Sequence, residues 1–115
     1  MANAKTCVFC RIVAGEIPST IVYEDDEFIA FRDLNPVALT HVLIIPKRHI
    51  EALASLDDSD VKTLGKMVLI APKIAAGDKL SGGYRLITNQ GKDAGQLVDH
   101  LHWHVIGGNH LGKIG

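Results

Sequence analysis

The sequence predicts a single α+β domain, built on an antiparallel sheet of about five strands with one short and one long helix. β-prone runs occur in adjacent groups before and after one long helical stretch, whereas a parallel sheet would require strands and helices in regular alternation. The chain has 115 residues, close to the commonest size of one domain, and contains no internal repeat. We therefore expect one domain over residues 7–110, with short tails at 1–6 and 111–115.

The first half of the chain predicts a short helix followed by three strands. Residues 7–14 have helical apolar spacing, and a glycine and a proline soon afterwards end the helix. Residues 21–23 and 28–31 are β-prone runs separated by four acidic residues, which indicates a hairpin with a solvated turn. Residues 40–46 are rich in Val and Ile and end at a proline, the pattern of a buried strand.

The second half predicts the long helix and two further strands. Ser59 or Asp60 can cap a helix over residues 61–77, and Pro72 should kink it or reset its boundary. The apolar residues of this helix recur on one face. They are Val61, Leu64, Met67, Val68, Ala71, Ile74 and Ala75. Residues 84–88 are a strand by composition, and a polar, glycine-bearing loop follows them.

The composition argues against two large classes of partner. Lys and Arg number 12 against 13 Asp and Glu, so the formal net charge is -1, and no basic block could neutralise a nucleic-acid backbone. The longest uncharged apolar runs are far shorter than the about 20 residues that cross a bilayer. The first residues lack the features of a secretory signal. We therefore expect a cytoplasmic protein that binds neither nucleic acid nor membrane.

The last predicted strand, residues 100–106, carries three of the six histidines. His100, His102 and His104 alternate with apolar residues, so a strand places all three imidazoles on one face, whereas a helix would spread them around its axis. Two chemistries fit such a face. One is a catalytic metal site with three protein ligands and one open position. The other is covalent catalysis, in which one histidine is the nucleophile and its neighbours set tautomer and protonation.

A second feature with chemical potential is the C-x-x-C pair Cys7 and Cys10. In a reducing compartment, this spacing indicates metal binding or redox chemistry more than a structural disulfide. The structural alternative is that both are small buried side chains of the first helix.

The run His-Leu-His-Trp-His-Val-Ile at residues 100–106 resembles the His-x-His-x-His-x-x signature of the histidine triad (HIT) family. The resemblance to the Hint-like branch extends over essentially the whole chain. The similar segments are residues 7–12, 15–18, 23–26, 31–36, 40–50 and 89–91. The resemblance implies the HIT-like antiparallel sheet, extended across a homodimer.

The resemblance also implies an activity. It is that of a nucleotide hydrolase or transferase, which cleaves at the α-phosphorus of purine nucleoside phosphoramidates or related adenylates through a covalent nucleotidyl-histidine. His102 would be the nucleophile, His104 would bind the phosphate and His100 would orient the site. His41 would belong to a supporting hydrogen-bond network, with a purely structural buried histidine as the alternative. No cofactor is implied for the chemistry itself.

Further residues match nucleotide-binding positions of the family. Asp33 matches the acidic residue that accepts hydrogen bonds from the ribose hydroxyls. Asn89, Gly95 and Gln96 match positions that contact the phosphate or the leaving group. The resemblance also implies apolar walls around a base pocket, although from spacing alone core packing explains these residues better than a role in binding. These walls are Val8, Phe9, Ile12, Phe31 and Leu34. Leu97 stands where relatives often carry a serine that reaches the leaving group, so the leaving-group preference stays open.

Bacterial-type members of the family hold a structural zinc, and the matching residues here are Cys7, Cys10, His49 and His100. Two thiolates and two imidazoles make a closed tetrahedral site without an open position. Zinc would then hold the fold, and the chemistry would need no metal. Two other functions remain as alternatives: a zinc-dependent hydrolase that uses the three-histidine face, and a nucleotide-binding protein with only residual catalysis.

Overall fold

The computed structural model describes residues 6–114, which form one antiparallel sheet with two helices. The strands are β1 (Ile21–Glu24), β2 (Phe28–Arg32), β3 (Thr40–Pro46), β4 (Tyr84–Ile87) and β5 (Trp103–Gly107). The helices are α1 (Val8–Val13) and α2 (Val61–Gly77). The strand order is β1-β2-β3-β5-β4, so the last strand inserts between β3 and β4. The α+β fold is therefore as predicted, while the expected tails lie partly outside the described residues, at 1–5 and 115.

β3 lies at the centre of the sheet and is buried along its whole length. Its alternating side chains face two different layers. Val42 and Ile44 pack in a cluster with the buried face of α2. Leu43 and Ile45 pack in a second cluster with Phe9 of α1. Because both faces of β3 are covered, its sequence is a continuous apolar run, and its predicted bounds match the observed ones.

α2 continues through Pro72 without a change of boundary, so of the two predicted effects, a kink or a reset boundary, the reset does not occur. Pro72 lies on the solvent side, so the carbonyl that loses its N–H partner there faces water. Asp60, one of the two predicted cap residues, stands at the N-cap position of α2, but its side chain makes no capping hydrogen bond to that helix. Asp57 makes a capping box with Asp60 at the start of the 3₁₀ turn Asp58–Asp60, and the carboxylate of Asp57 accepts from the Ser59 amide at 2.9 Å.

The buried face of α2 is rotated slightly from the predicted one. Val61 and Val68 are 65% and 42% exposed, whereas Ile70, absent from the predicted stripe, is buried beside Met67 and Ile74. The sheet beneath spans only part of the helix circumference, so residues at the margin of the stripe stay in solvent. Neither helix within residues 6–114 is long and apolar enough to cross a membrane.

β5 begins three residues later than predicted, because its ladder with β3 ends at the Ile44–Trp103 pair, two residues before Pro46. Proline has no N–H for a further ladder bond. The carbonyl of Pro46 instead accepts from Nε2 of His100 at 2.8 Å, and the amide of Leu101 bonds to the Ile50 carbonyl at 2.6 Å. The predicted alternation nevertheless holds through this segment. The residues between the histidines, Leu101, Trp103 and Val105, are all buried in the cluster on the α2 side.

Candidate active site and metal centre

Two of the three alternating histidines lie together on the sheet face that α1 covers. His104 is in β5, opposite Leu43 of β3 and Ile87 of β4. His102 immediately precedes β5, and the ring centroids of the two histidines are 5.1 Å apart. Phe9 of α1 packs edge-on against the His102 ring at 5.2 Å. The strand alternation and the short helix thus place two imidazoles side by side at the centre of the sheet.

The tautomer of His102 is set by the backbone. Its Nδ1 lies 2.7 Å from the carbonyl oxygen of His100. A carbonyl oxygen only accepts, so Nδ1 carries the proton and Nε2 presents a lone pair. Within residues 6–114, no hydrogen-bond partner engages that Nε2. Burial lowers the pKa of His102, which keeps the ring neutral at neutral pH.

The tautomer of His104 is set by a chain of two hydrogen bonds. The amide of Val37 donates to Nδ1 of His41 at 3.1 Å, so His41 carries its proton on Nε2. This Nε2–H donates to Nδ1 of His104 at 2.8 Å, which leaves His104 with a proton on its own Nε2. Burial first, and then the neighbouring imidazoles, lower the pKa of His104 to about 4. His104 is therefore a neutral hydrogen-bond donor beside the His102 lone pair.

Asp33 lies next to this pair of histidines. One carboxylate oxygen, Oδ1, accepts from the amide of Asn35 at 2.8 Å, and the other, Oδ2, lies 3.4 Å from Nε2 of His41. The Asp33 amide also donates to the His41 carbonyl at 2.9 Å. These contacts fix the carboxylate between the histidines and the cavity over β2.

An apolar cavity of about 310 Å³ lies over β2 and β3 beside α1. All five residues of the implied base pocket line it: Val8, Phe9, Ile12, Phe31 and Leu34. Phe9 and Phe31 also belong to the buried cluster beneath α1, so these two side chains both pack in the core and line the cavity. Leu34 and Leu97 line the cavity with side chains that are 86% and 94% exposed. Asp33 stands on the same wall, so one cavity combines an apolar surface with a carboxylate.

The three residues of the polar loop are placed differently from one another. Asn89 lines a second cleft together with His41 and His104. Gly95 adopts φ +82°, which favours glycine, and its amide donates to the Lys92 carbonyl at 3.0 Å.

Gln96 is engaged within the protein at both ends of its side chain. Its Oε1 accepts from the Gly91 amide at 2.8 Å, and its Nε2 donates to the carbonyls of Glu51 and Val98, each at 3.1 Å. The Gln96 amide is engaged as well, at 3.1 Å from the Gly91 carbonyl. In this conformation, Gln96 anchors the loop rather than facing the site.

His100 faces a different centre from the other two histidines. Its Nε2–H donates to the Pro46 carbonyl, so Nδ1 presents a lone pair. That Nδ1 lies 3.3 Å from Sγ of Cys7 and 3.5 Å from Sγ of Cys10. Nδ1 of His49 lies 3.2 Å from Sγ of Cys10. The four ligand atoms lie within 4.8 Å of one another.

The donor set of this cluster fits a tetrahedral zinc. With Zn–S bonds of about 2.3 Å and Zn–N bonds of about 2.0 Å, sulfur and nitrogen ligands stand about 3.5 Å apart, close to the separations in the cluster. Burial lowers the pKa of His100 to about 4, which keeps its imidazole neutral as a ligand must be. Burial and the neighbouring Cys7 thiol raise the pKa of Cys10 to about 11, so a cation is needed to hold two thiolates there.

Several groups that shape the site lie outside the sequence motifs. The backbone carbonyls and amides that fix the histidine tautomers carry no side-chain signal. The Thr88 hydroxyl donates to the His102 carbonyl at 3.0 Å, and Gln90 donates to that hydroxyl at 2.7 Å. Arg85 projects into the cleft that Asn89 lines. A lone arginine in an otherwise apolar strand was the one signal available for Arg85.

Comparison with known proteins gives the family. The family model described as HIT domain matches residues 14–111. The chain is 46% identical over 101 residues to Protein HitA of Neisseria gonorrhoeae, covering 88% of this chain and 94% of that protein. It also resembles the solved structure of a HIT family hydrolase from Clostridium thermocellum, with 47% identity, a TM-score of 0.91 and 96% of each chain covered.

A third relative is a Zn-bound histidine triad family protein from Mycobacterium smegmatis. That structure has 33% identity and a TM-score of 0.83, and the match covers 98% of this chain and 82% of the other. Sequence, domain match and fold agree over nearly the full length. This chain therefore belongs to the HIT family, and its Cys-x-x-Cys pair fits the bacterial type.

Proposed function

We propose that the protein is a nucleotide hydrolase or transferase that cleaves purine nucleoside phosphoramidates, or related adenylates, at the α-phosphorus. The observation that carries the proposal is the free Nε2 lone pair of His102, opposite an Nδ1–H that the His100 carbonyl holds at 2.7 Å. The Clostridium thermocellum relative is named a HIT family hydrolase, which supports hydrolytic chemistry.

The reaction proceeds in two displacements. In the first, Nε2 of His102 forms a bond to phosphorus, and the bond from phosphorus to the leaving nitrogen breaks. The leaving nitrogen keeps that electron pair and takes a proton from water. In the second, a water oxygen attacks phosphorus, the bond to His102 breaks and the water proton goes to solvent. One water is consumed, and an amine and a nucleoside monophosphate are released.

His104 supports both steps as a hydrogen-bond donor. Its Nε2–H donates to a non-bridging phosphate oxygen, where negative charge accumulates during each displacement. His41 acts through His104, because its own Nε2–H keeps the His104 proton on the outward nitrogen. His100 acts through its carbonyl, which keeps the proton of His102 on Nδ1.

The nucleoside half of the substrate occupies the cavity beside α1. The apolar walls at Val8, Ile12 and Phe31 accept a planar base, and the Asp33 carboxylate accepts hydrogen bonds from both ribose hydroxyls. A volume of about 310 Å³ is enough for a base and part of its sugar. An AMP-type nucleotide is thus the expected ligand.

We assign a structural role to the cluster of Cys7, Cys10, His49 and His100. These four residues would bind zinc, which would stabilise the fold and supply no chemistry to the reaction. The Zn-bound relative from Mycobacterium smegmatis supports this assignment. A pair of free thiols also favours a reducing compartment such as the cytoplasm.

The family resemblance further implies a homodimer. The exposed edge strands of the sheet support this, because such an edge can pair with the same edge of a second copy. Tyr84 and Leu86 of the edge strand β4 are each 39% exposed, and an uncovered apolar edge invites pairing. Light scattering coupled to size-exclusion chromatography measures the mass in solution. A monomer mass at micromolar concentration would reject the dimer.

The nucleophile assignment is tested by His102→Ala with adenosine 5′-phosphoramidate as substrate. We expect turnover to fall by about a thousandfold or more, while His110→Ala, an exposed histidine in the C-terminal segment, keeps wild-type turnover. Calorimetric binding of AMP to His102→Ala checks that the variant is folded. Turnover near the wild-type rate would reject His102 as nucleophile. Binding of AMP by a wild-type protein that turns over no phosphoramidate or adenylate would favour a binding protein instead.

A zinc-dependent hydrolase fits the geometry less well. The ligand atoms of Asp33, His41 and His104 also lie within 4.8 Å of one another. However, Nδ1 of His41 accepts a hydrogen bond from the Val37 amide, so the ring proton of His41 is on Nε2. A metal could bind Nε2 only if that proton moved to Nδ1, and the hydrogen bond from Val37 would then be lost. Full activity of a demetallated, folded sample would exclude catalytic zinc.

A further inference from the structure

The two thiols of the candidate metal centre lie close enough to form a disulfide with each other. Sγ of Cys7 and Sγ of Cys10 lie within 4.8 Å of each other, and the Cys10 amide donates to Sγ of Cys7 at 3.4 Å. Both thiols are free, and the chain contains no other cysteine. A disulfide needs an S–S distance of about 2.05 Å, so a short movement of the two sulfurs is enough to form one.

The two cysteines differ in their access to solvent. Cys7 is 2% exposed, whereas Cys10 is partly exposed. Oxidation of a cysteine requires contact between its sulfur and the oxidant, so a small oxidant in solution reaches Cys10 first. Cys7 is then the buried second thiol that closes the disulfide.

The two imidazoles of the centre are held unequally. Nε2 of His100 bonds to the Pro46 carbonyl at 2.8 Å. Nε2 of His49 is buried, and no group within residues 6–114 forms a hydrogen bond with it. A metal-binding imidazole is oriented by such a bond, and its loss lowers metal affinity by about 10–100-fold. His49 is therefore the weaker imidazole ligand, and retention of a metal depends on the two sulfurs.

α1 connects this pair of thiols to the nucleoside cavity. Phe9 lies between the two cysteines in sequence, and its ring centroid is 5.2 Å from that of His102 and 5.6 Å from that of Phe31. With six residues, α1 is too short to be stable as an isolated helix, so its position depends on the contacts at its start and along its buried face. A rearrangement at the two sulfurs would therefore reach both the ring of the proposed nucleophile and the cavity wall.

Resting on the zinc assignment of the proposed function, we propose that Cys7 and Cys10 are a reversible oxidation site for hydrogen peroxide, and that their oxidation releases zinc and loosens α1. The Cys10 thiolate attacks one peroxide oxygen, the O–O bond breaks, and Cys10 becomes a sulfenic acid while hydroxide leaves. The Cys7 thiolate then attacks the Cys10 sulfur, the S–O bond breaks and a second hydroxide leaves. Two protons from solvent convert both hydroxides to water. The two sulfurs lose two electrons in total, and the peroxide gains them.

The disulfide removes two zinc ligands at once, because its sulfurs carry no negative charge. The imidazoles of His49 and His100 remain, and two neutral ligands do not complete a tetrahedral site. Without the metal, α1 is anchored only by its apolar contacts, so Phe9 moves more freely against His102. Nucleotide affinity therefore falls under peroxide and returns when a dithiol reduces the disulfide and zinc rebinds.

The test exposes zinc-loaded wild-type protein to hydrogen peroxide. We expect loss of both thiols, release of the bound zinc, amide exchange in residues 8–13 that is faster by about tenfold or more, and AMP binding that is weaker by about tenfold in calorimetry. Dithiothreitol followed by zinc should restore all four measurements. Reduced protein stripped by a chelator is the control, because it should take up added zinc directly, whereas the oxidised protein should need dithiothreitol first.

Cys10→Asp is the matched variant. It keeps a fourth ligand, a carboxylate oxygen, but lacks the second thiol, so it should retain zinc through the same peroxide treatment. If this variant binds no zinc, Cys7→Asp takes its place. If neither binds zinc, the mass of the oxidised wild-type protein, lower by two hydrogens than that of the reduced protein, identifies the disulfide. Zinc release at equal rates from wild type and variant would contradict the proposal.

The outcomes separate this inference from the proposed function. Zinc-loaded protein that cleaves the phosphoramidate but keeps both thiols in peroxide would reject the oxidation site and keep the hydrolase. Reversible disulfide formation with zinc release and faster exchange in residues 8–13, in a protein that binds no AMP, would keep the oxidation site and reject the nucleotide function. Reduced protein that takes up no zinc would reject the zinc assignment and the oxidation site together. A disulfide with unchanged exchange in α1 would overturn the coupling between the thiols and the cavity.

Discussion

Nδ1 of His102 lies 2.7 Å from the carbonyl oxygen of His100, so the backbone of one histidine fixes the tautomer of the other. His100 is itself held at both ring nitrogens. Its Nε2 bonds to the Pro46 carbonyl at 2.8 Å, and its Nδ1 lies 3.3 Å from Sγ of Cys7. The group that orients the proposed nucleophile is therefore anchored by the proposed metal centre, although no metal ligand faces the substrate.

Removing the metal should weaken both the fold and the reaction. We expect zinc-loaded protein to lose about 10 °C in unfolding midpoint after chelation, because closing a four-ligand site contributes several kcal/mol in a domain of this size. Turnover should fall with it, since the His100 carbonyl becomes less fixed. Circular dichroism melts, with zinc content measured on the same samples, provide the check.

Cys7→Ser is the matched control for that experiment. It removes one of the four ligands and should make the unfolding midpoint insensitive to chelator. Wild-type protein that carries one zinc per chain, yet melts at the same temperature with and without chelator, would contradict the structural role.

The sequence predicts well whatever depends on side-chain alternation. β3 has the predicted bounds because both of its faces are buried, and Leu101 and Trp103 face the core because they alternate with histidines. The C-x-x-C pair, His49 and His100 meet in one cluster as the family resemblance implies. In each case the residue type itself carries the signal.

Features that depend on backbone groups could not be predicted in this way. The Val37 amide and the Pro46 carbonyl decide which ring nitrogens carry protons, and any residue with an ordinary backbone could provide them. The continuation of α2 through Pro72 depends on that residue facing solvent, which the helical pattern alone did not decide. The role of Gln96 as a loop anchor depends on carbonyls distant in sequence.

Acid should destabilise the protein in part through His104. Its pKa falls from 6.5 to about 4 on folding, so the unfolded chain binds the proton more tightly between these values. The stability contribution is complete above pH 6.5 and is lost as pH falls toward 4. Between pH 6.5 and 4, the unfolding free energy of His104→Gln should fall by about 1–3 kcal/mol less than that of the wild type, as measured by urea unfolding. His110→Gln, with an exposed side chain, should follow the wild-type profile. Parallel profiles for wild type and His104→Gln would be evidence against a buried neutral His104.

An ion pair between Arg32, which also lines the nucleoside cavity, and Asp78, which does not, should contribute to stability. Arg32 donates to both carboxylate oxygens of Asp78, at 2.5 and 2.9 Å, and Thr40 donates to the same carboxylate at 2.8 Å. The Arg32 and Thr40 hydrogen bonds hold the pKa of Asp78 below its usual value, so this stabilisation is present above about pH 3.8 and lost below it.

Asp78→Asn should therefore lower the unfolding free energy at pH 7 by about 1–2 kcal/mol. Glu16→Gln is the control, since its partner Arg11 lies 3.4 Å away and both side chains are at least half exposed. We expect it to cost about 0.3 kcal/mol or less. Chemical denaturation measures both variants, and equal losses for the two would show that the bidentate geometry adds nothing.

Recognition of the ribose by Asp33 can be separated from its contact with His41. Oδ2 lies 3.4 Å from the His41 ring, so Asp33→Asn alone changes both the sugar site and the histidine chain. The affinity ratio between AMP and 2′,3′-dideoxy-AMP isolates the sugar, because both ligands meet the same histidines. We expect wild type to prefer AMP by about tenfold or more, since two hydroxyls donate to a charged acceptor, and Asp33→Asn to reduce that preference severalfold. Asp93→Asn, an exposed carboxylate in the loop before Gly95, should keep the wild-type ratio. If Asp33→Asn weakens both nucleotides equally, the carboxylate acts through His41 and the ribose hydroxyls are bound elsewhere.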